Sequence, residues 1–211
     1  MKEKITKALK WFLNSYIWLF VILLVVDIVT KNIVMNNMYE GQSIDLISGF
    51  LRLTYVQNRR AAFGIGIGSG ANGDLINRIV YLCIALTASV VILIYYIKKF
   101  NELKPYIKAC LMLVLVGALG NSIDRLFYAS SGHAVVDFID LYFLSFWTYV
   151  FNVADCGVVV GAFMLLAYFI VEEVKEFKVK RAQEQAEIAA EKQAKETPKI
   201  EEHPEENEKA E

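Results

Sequence analysis

The chain is poor in the residues that bind metal ions or form disulfides. Its 211 residues include two histidines and three cysteines. Two histidines are too few for a histidine-based metal site, and the cysteines share neither metal-ligand nor redox spacing. We interpret the cysteines as small apolar residues of helices, and we expect neither a metal nor another cofactor. They are Cys83, Cys110 and Cys156.

The chain also has little net charge, which is −1 from 22 basic and 23 acidic residues. The charges are unevenly distributed, because basic residues gather between apolar runs and the last forty residues hold 13 glutamates. No stretch resembles a basic face for nucleic acid. We therefore expect no nucleic-acid partner.

Hydrophobic residues, by contrast, are abundant and concentrated in blocks. They make up 56% of the chain, above the roughly 45 to 50% of soluble proteins. Four blocks exceed the about 20 helical residues that cross a bilayer. They predict an all-α polytopic membrane protein whose four transmembrane helices lie at about Trp11–Val34, Leu75–Ile97, Tyr106–Phe127 and Trp147–Val171. No small-x-small cleavage site follows the basic start, so the first span is expected to remain uncleaved.

The distribution of basic residues predicts the orientation of these spans. Lysine and arginine are absent from residues 127–146, and residues 35–74 contain three. The other three flanks are basic: they contain Lys2, Lys4, Lys7 and Lys10; Lys98, Lys99, Lys104 and Lys108; and Lys175, Lys178, Lys180 and Arg181. By the positive-inside rule both termini are then cytoplasmic.

The connection between the first two spans contains a pattern typical of β-structure. "GFLRLTYVQN", Gly49 to Asn58, is rich in β-branched and aromatic residues with partial alternation. It predicts an extracytoplasmic strand or hairpin. "FGIGIGSGANG" follows, and its glycines match G-x-G-x-x-G. Because no βαβ unit surrounds them, a flexible outer loop is favoured over nucleotide binding.

The chain divides by composition into a membrane domain, residues 1–171, and a tail, residues 172–211. The tail is rich in Ala, Glu, Lys and Gln and contains Pro198 and Pro204 near its end. This composition predicts a cytoplasmic helix that gives way to disorder. We assign no catalytic residue to the tail.

Three carboxylates lie inside the predicted spans, at similar depths near the outer face: Asp27, Asp124 and Asp155. A charged residue at such depth indicates a functional site. Each has a polar companion at helical spacing, because Asn121 precedes Asp124 by three residues, Asn152 precedes Asp155 by three, and Lys31 follows Asp27 by four. The two N-x-x-D pairs each predict one helix face, and Asp27 with Lys31 predicts an ion pair.

Two facing carboxylates suit acid/base hydrolysis. Repulsion and desolvation separate their titrations, so that one is protonated and one ionised near neutral pH. The ionised group can take a proton from water while the protonated one polarises a carbonyl. The sequence therefore predicts a hydrolase with Asp124 and Asp155 as the catalytic pair. Arg125 is expected to snorkel to the outer interface or to contact head groups, and Gly117 and Gly120 are expected to leave room for helix packing or a substrate backbone.

Three other interpretations of these residues remain open. Polar residues in a membrane bundle can serve only to hydrogen-bond helices together. A Ser/Lys dyad of Ser122 and Lys31 is a rival, although Ser122 points about 100° away from Asn121 on an ideal helix. A small proton-coupled transporter also needs buried Asp and Lys, but the cytoplasmic halves of the spans are dry.

Several motifs resemble those of the lipoprotein signal peptidase family, signal peptidase II. "GALGNSIDR", "VVDFID" and "FNVAD" are similar to its most specific elements, "DIVTK" resembles its D-x-x-x-K element, and "QNRRAAFG" resembles its N-x-G-A-A-F element. The likeness runs from the first span to the fourth. Arg60 stands where the family has Gly, Ala118 replaces a frequent Gly, and the glutamate-rich tail is not a general family feature.

The resemblance implies a bacterial intramembrane aspartic peptidase with four spans and a small outer β-cradle. Its expected substrates are lipid-modified prolipoproteins in the phospholipid membrane, cut just before the diacylglyceryl-cysteine, without a metal and without a required oligomer. The expected location is the inner membrane. By motif, Asp124 and Asp155 resemble the catalytic dyad; the supporting or substrate-binding positions are Asn121, Asn152, Asn58, Asp27, Lys31, Arg125, Gly117 and Ala154.

Overall fold

Helices account for most of the protein. The computed structural model describes residues 2–60, 66–67, 70–143 and 149–196. The α-helices among these residues are α1 Lys2–Ser15, α2 Ile17–Asn37, α3 Gly70–Lys99, α4 Pro105–Phe127 and α5 Val153–Glu196. Four of them, α2 to α5, are long and apolar enough to cross a membrane. The predicted four-span architecture is confirmed.

The first span begins at Ile17 rather than at Trp11, because the backbone breaks at Tyr16. Tyr16 has φ 56°, in the left-handed region, and separates α1 from α2. The Ser15 hydroxyl accepts a hydrogen bond from the Ile17 amide at 3.2 Å and donates one to the Phe12 carbonyl at 2.7 Å. The basic N-terminal segment is therefore a separate helix, with the lysine and apolar faces typical of an interfacial helix.

Helix α4 is the innermost span. Well over half of its apolar core segment is buried, against less than a fifth for each of the other three spans. It packs closely on α5 through glycines: a Cβ on Gly117 would overlap a Val158 methyl group, and one on Gly161 would lie 2.9 Å from the Cys110 carbonyl oxygen. Small residues allow membrane helices to approach in this way. Polar residues on α4 are thus carried into the protein interior.

A four-stranded antiparallel sheet lies in the connections between spans. Its strands, in sheet order, are β1 Ser43–Ile47, β2 Leu51–Asn58, β3 Val135–Asp140 and β4 Val150–Phe151. The hairpin of β1 and β2 confirms the strand prediction for residues 49–58. β3 and β4 were not expected, because β3 is buried on both faces and shows no polar alternation.

The sheet is attached to the helices by an apolar cluster. Val34 at the end of α2, Tyr55 on β2, and Val136 and Phe138 on β3 are all buried and pack together. This contact holds β3 against the ends of the spans.

Helix α5 begins at Val153, whereas the sequence predicts a span from Trp147. Residues 144–148 lie outside the described part, and Val150 and Phe151 belong to β4. The chain splits into two compact units, Met1–Leu166 and Ala167–Glu211. In the second unit, the structure describes a helix that continues to Glu196. The predicted disorder at the end of the tail falls outside the described residues. Part of the predicted glycine loop is helical instead, because Gly70 to Gly73 form the start of α3. Residues 66–67 lie outside the helices, and the rest of the loop falls outside the described residues.

Candidate active site

Lys31 lies at the centre of a buried ion cluster between α2 and α4. Its Nζ is 2.8 Å from Asp27 Oδ2 and 2.9 Å from Asp124 Oδ2, and it donates a hydrogen bond to Asn121 Oδ1 at 3.0 Å. Lys31, Asp27 and Asp124 are all 0% exposed. An ammonium has three N–H donors, so each finds an acceptor. The predicted Asp27–Lys31 ion pair is confirmed, and Asp124 shares the same cation.

The second N-x-x-D motif caps the start of α5. The Asn152 side-chain oxygen accepts from the Asp155 amide at 2.9 Å, and Asp155 Oδ2 accepts from the Asn152 amide at 3.1 Å. This reciprocal pair is a capping box. Asp155 therefore lies in the first turn of α5, where the helix dipole stabilises a negative charge, and not on the face of a continuing helix as the sequence suggests.

Asp27 connects α2 to this same helix end. Its Oδ1 accepts from the Ala154 amide at 2.8 Å, which satisfies one of the amides that a helix start leaves without an intrahelical partner. Gly120 allows the approach, because a Cβ there would lie 2.8 Å from Asp27 Oδ2 and 2.9 Å from the Ala154 Cβ. Gly120, like Gly117, thus serves helix packing.

Asn121 bridges the ion cluster and the start of α5. Its Nδ2 donates to Asp155 Oδ1 at 2.8 Å, while its Oδ1 accepts from Lys31 and, at 3.1 Å, from Asn152 Nδ2. Only this orientation of the Asn121 side-chain amide satisfies all of these bonds. Asp155 is consequently held by two donors, one on each carboxylate oxygen.

Asp137 on β3 is the carboxylate that sequence reasoning misses. Its Oδ1 accepts from Asn152 Nδ2 at 2.6 Å and its Oδ2 from Asn58 Nδ2 at 2.9 Å. Asp137 is 1% exposed, whereas Asp155 is partly exposed. The only available signal was the aspartate inside "VVDFID", and its position depends on strand pairing across the chain, Val56 with Asp137.

Asp137 and Asp155 interact directly as charges. Burial first, and then the nearby carboxylate of Asp155, raise the pKa of Asp137 from 3.8 to about 7. Hydrogen bonds from Asn58 and Asn152 and the charge of Lys31 act in the opposite direction. Because Asn152 binds both carboxylates, through its side chain and its backbone, it fixes them beside one another.

Asp124 has a different environment. Besides its ion pair with Lys31, its Oδ2 accepts from the Val136 amide at 3.1 Å, which joins α4 to β3. A cation bonded to a buried carboxylate favours the ionised form. The structure thus brings all three predicted carboxylates together, but it gives Asp124 a lysine partner and gives Asp155 the neighbour Asp137.

The remaining predicted residues support this arrangement. Asn58 also accepts from the Arg60 amide at 2.9 Å, so it links β2 to Asp137. Arg125 is 8% exposed and donates to the Asn121 and Arg60 carbonyls, both at 3.2 Å. Its guanidinium binds backbone oxygens inside the protein, and the expectation that it contacts lipid head groups stays a prediction.

The geometry gives the Ser/Lys dyad no support. Ser122 donates its hydroxyl to the Ala118 carbonyl at 2.6 Å, one turn back on α4. The Lys31 ammonium is bonded to Asp27, Asp124 and Asn121. A charged ammonium held by two carboxylates is a poor base.

Known proteins are similar to this chain in both sequence and fold. The family model for signal peptidase (SPase) II matches residues 19–171. The chain is 36% identical over 155 residues to a lipoprotein signal peptidase of Fusobacterium nucleatum, covering 74% of this chain and 86% of that one. It is also 36% identical over 162 residues to one of Clostridioides difficile, covering 76% and 97%.

Two solved structures, both described as bacterial membrane enzymes, have the same fold. The first has a TM-score of 0.64 at 28% identity, over 77% of this chain and 91% of that one. The second has a TM-score of 0.62 at 29% identity, over 75% and 94%. None of these comparisons supports the transporter alternative. With its four spans, its sheet and its buried carboxylates inside the matched region, the chain belongs to the signal peptidase II family.

Proposed function

We propose that this multi-pass membrane protein removes the signal peptides of lipoproteins by aspartic catalysis, with Asp137 and Asp155 as the acid/base pair. Membership of the signal peptidase II family supports the peptidase activity and the lipoprotein substrates. The catalytic type and the residue roles are inferences from the geometry. The single observation that carries them is the bridging of Asp137 and Asp155 by Asn152.

Asp155 is the general base of this proposal. It is the more exposed of the two and lies at the N-terminus of α5, where the dipole and two hydrogen-bond donors favour its ionised form. Asp137 is the general acid, because its raised pKa of about 7 keeps a proton on it near neutral pH. A coupled pair of this kind shares one proton.

The reaction then needs only water and the two carboxyl groups. Asp155 takes a proton from water, the oxygen attacks the scissile carbonyl carbon, and Asp137 protonates the carbonyl oxygen to give a gem-diol. When the C–N bond breaks, Asp155 protonates the leaving amine and the gem-diol returns a proton to Asp137. Both groups regain their starting states, so the cycle is balanced.

Asp124 has a positioning role in this proposal. Its ion pair with Lys31 and its bond to the Val136 amide hold α2, α4 and β3 together next to Asp137. The alternative suggested by sequence, a dyad of Asp124 and Asp155, requires Asp124 to exchange protons while bonded to a buried ammonium. That cation opposes protonation of Asp124.

The substrate approaches from the bilayer. We infer that both termini are in the cytoplasm, by the positive-inside rule, so that the sheet and the active site lie at the outer face of the inner membrane. The diacylglyceryl group of the substrate then remains in the outer leaflet and presents the bond just before the lipidated cysteine laterally to Asp137 and Asp155. The expected partners are thus the lipidated precursor and the membrane itself.

Three Asp→Asn variants and a matched control test the assignment. A defined lipidated precursor peptide is incubated with each purified variant, and the products are identified by mass. Asp137→Asn and Asp155→Asn should each lower kcat by about 10² to 10⁴-fold, the usual contribution of general acid/base catalysis. The control is Asp140→Asn, on the same strand but bonded to Arg52 at 2.6 Å, and it should cleave normally.

The same series separates the two candidate dyads. Asp124→Asn should lower thermal stability and reduce cleavage less than Asp137→Asn does. If Asp124→Asn abolishes cleavage at unchanged thermal stability while Asp137→Asn still cleaves, the catalytic pair is Asp124 with Asp155 and our assignment fails.

A further inference from the structure

A basic cavity lies at the sheet end of the helices, lined by residues outside the carboxylate network as well as by Arg125. Its volume is about 250 Å³. The wall consists of the first turns of α3, the last turn of α4, and the segments that follow β2 and α4. The lining includes Arg59, Asp74, Leu75, Arg78, Arg125 and His133.

The cavity carries an excess of positive charge. Three arginines line the cavity with a single carboxylate, that of Asp74. The charge of Arg125 is also opposed by the nearby site carboxylates, so Arg59 and Arg78 supply the excess. Asp74 neutralises little, because its Oδ2 is 3.9 Å from Arg59 Nε and both side chains are more than 40% exposed. Such partly solvated pairs interact weakly. The remaining positive charge favours an anion.

The guanidinium groups keep donors for a ligand. Within the described part of the chain, Arg78 hydrogen-bonds through Nε, which donates to the Arg125 carbonyl at 2.7 Å. Its position is thus fixed while its two terminal nitrogens remain available. Arg59 uses Nη2 to donate to Gln57 at 3.2 Å. Planar guanidinium groups with parallel N–H donors are well suited to phosphate oxygens.

His133 contributes a buried polar atom to the cavity wall. Its Nδ1 is buried and, among the residues that the structure describes, nothing hydrogen-bonds to it. Buried polar atoms are normally bonded. His133 is held in a left-handed conformation, with φ 61°, beside Gly132, so its place on the cavity wall is set by the turn after α4.

One side of the cavity is continuous with the apolar surface of α3. Leu75 lines the cavity and is 53% exposed, and Ile76 and Ile79, one and four residues further along α3, are 45% and 52% exposed. These residues belong to a predicted span, so in a bilayer they contact acyl chains. A ligand with a phosphate group and attached acyl chains matches both parts of this surface.

We propose that this cavity binds the phosphodiester headgroup of an anionic phospholipid, whose acyl chains lie along α3. A zwitterionic headgroup is disfavoured, because its cation would lie near Arg59 and Arg78 with only the Asp74 carboxylate to receive it. This inference is independent of the residues proposed for catalysis on β3 and α5.

Native mass spectrometry of the purified full chain in detergent tests the proposal with three probes. They are dioctanoyl phosphatidylglycerol, dioctanoyl phosphatidylcholine and inorganic phosphate. Wild-type protein should retain the anionic lipid in preference to the zwitterionic one. Because a basic residue near a lipid surface contributes about 1 kcal/mol, Arg59→Gln and Arg78→Gln should each weaken that retention about fivefold.

Two further variants test the direction of the charge effect and provide a control. Asp74→Asn removes the opposing carboxylate and should strengthen retention of the anionic lipid about fivefold. Lys98→Gln removes the same charge from the exposed opposite end of α3 and should leave the preference unchanged. The Asp74 variant keeps the test decisive if an arginine variant fails to fold.

Three results would overturn the proposal. Equal losses in Arg59→Gln and Lys98→Gln would mean general surface attraction. Displacement of the lipid by inorganic phosphate at matched concentration would mean a site for free phosphate. A raised KM for the lipidated peptide in Arg59→Gln, with the lipid preference intact, would assign the cavity to the substrate.

Discussion

Two groups of carboxylates lie side by side in this protein, and they differ in the groups that are bonded to them. In the first, Asp27 and Asp124 share the ammonium of Lys31 at 2.8 and 2.9 Å. In the second, Asp137 and Asp155 are hydrogen-bonded by neutral amide groups, and burial and then the charge of Asp155 raise the pKa of Asp137. A carboxylate paired with a cation is stabilised as an anion, whereas one next to another carboxylate exchanges a proton near neutral pH.

The comparison shows why residue type and depth do not by themselves identify a catalytic acid. All four carboxylates lie within one hydrogen-bonded network, joined by Asn121 and Asn152. The ion cluster of Asp27, Lys31 and Asp124 fixes the start of α5, because Asp27 accepts a hydrogen bond from the Ala154 amide. In our proposal the chemistry belongs to Asp137 and Asp155, to which no ammonium of the described residues is bonded.

The largest effect on stability is expected at the first group, on replacing Lys31 with Met. Two fully buried carboxylates would lose their cation, so we expect destabilisation of about 3 to 5 kcal/mol. Thermal unfolding in detergent measures it. The triple variant Asp27→Asn, Lys31→Met, Asp124→Asn should recover part of the loss, because no unpaired charge remains. A triple variant less stable than Lys31→Met alone would contradict this description of the cluster.

Asn152 connects the two carboxylates of the second group, so its replacement with Ala should affect both stability and activity. The change removes the cap of α5, at about 1 kcal/mol, and the Asp137 hydrogen bond. We expect kcat to fall about tenfold or more while KM changes little. Misplaced carboxyl groups raise the activation free energy, and about 1.4 kcal/mol corresponds to a tenfold change in rate. A change confined to KM would place Asn152 in substrate binding instead.

The acid role of Asp137 predicts a pH dependence. The native state holds this proton more tightly than the unfolded chain, so its contribution to stability is complete below the ordinary pKa of 3.8 and is lost as the pH rises through about 7. Cleavage should fall over the same upper range, because the acid loses its proton. A pH–rate profile of kcat that rises through pH 7 would reverse the two roles.

The smallest effect is expected from Asn58→Ala. The Asn58 amide lowers the pKa of Asp137 by donating to Oδ2, so its removal should move the descending limb of the profile to higher pH. The matched variant is Gln57→Ala, on the neighbouring residue of β2, which should leave the limb in place. A shift to lower pH in Asn58→Ala would show that the amide does not act on Asp137.

Local patterns predicted the parts of the molecule that depend on local forces. Apolar length predicted four spans, i and i+4 spacing predicted the Asp27–Lys31 pair, and alternation predicted the hairpin of β1 and β2. The break at Tyr16 was missed because a left-handed tyrosine leaves no signal in hydropathy. The capping role of Asn152 and Asp155 was missed because residues before Val153 continue the apolar run.

The sequence by itself determined that carboxylates are present near one end of the spans, since charges are costly in a bilayer and their spacing marks helix faces. Only the tertiary structure decided which of them meet. Strand β3 reaches the site by pairing with β2, some eighty residues earlier in the chain, and this pairing carries Asp137 to Asp155 while Lys31 takes Asp124. Such long-range pairing depends on the burial of β3 by Val34 and Tyr55, a contact that no local pattern encodes.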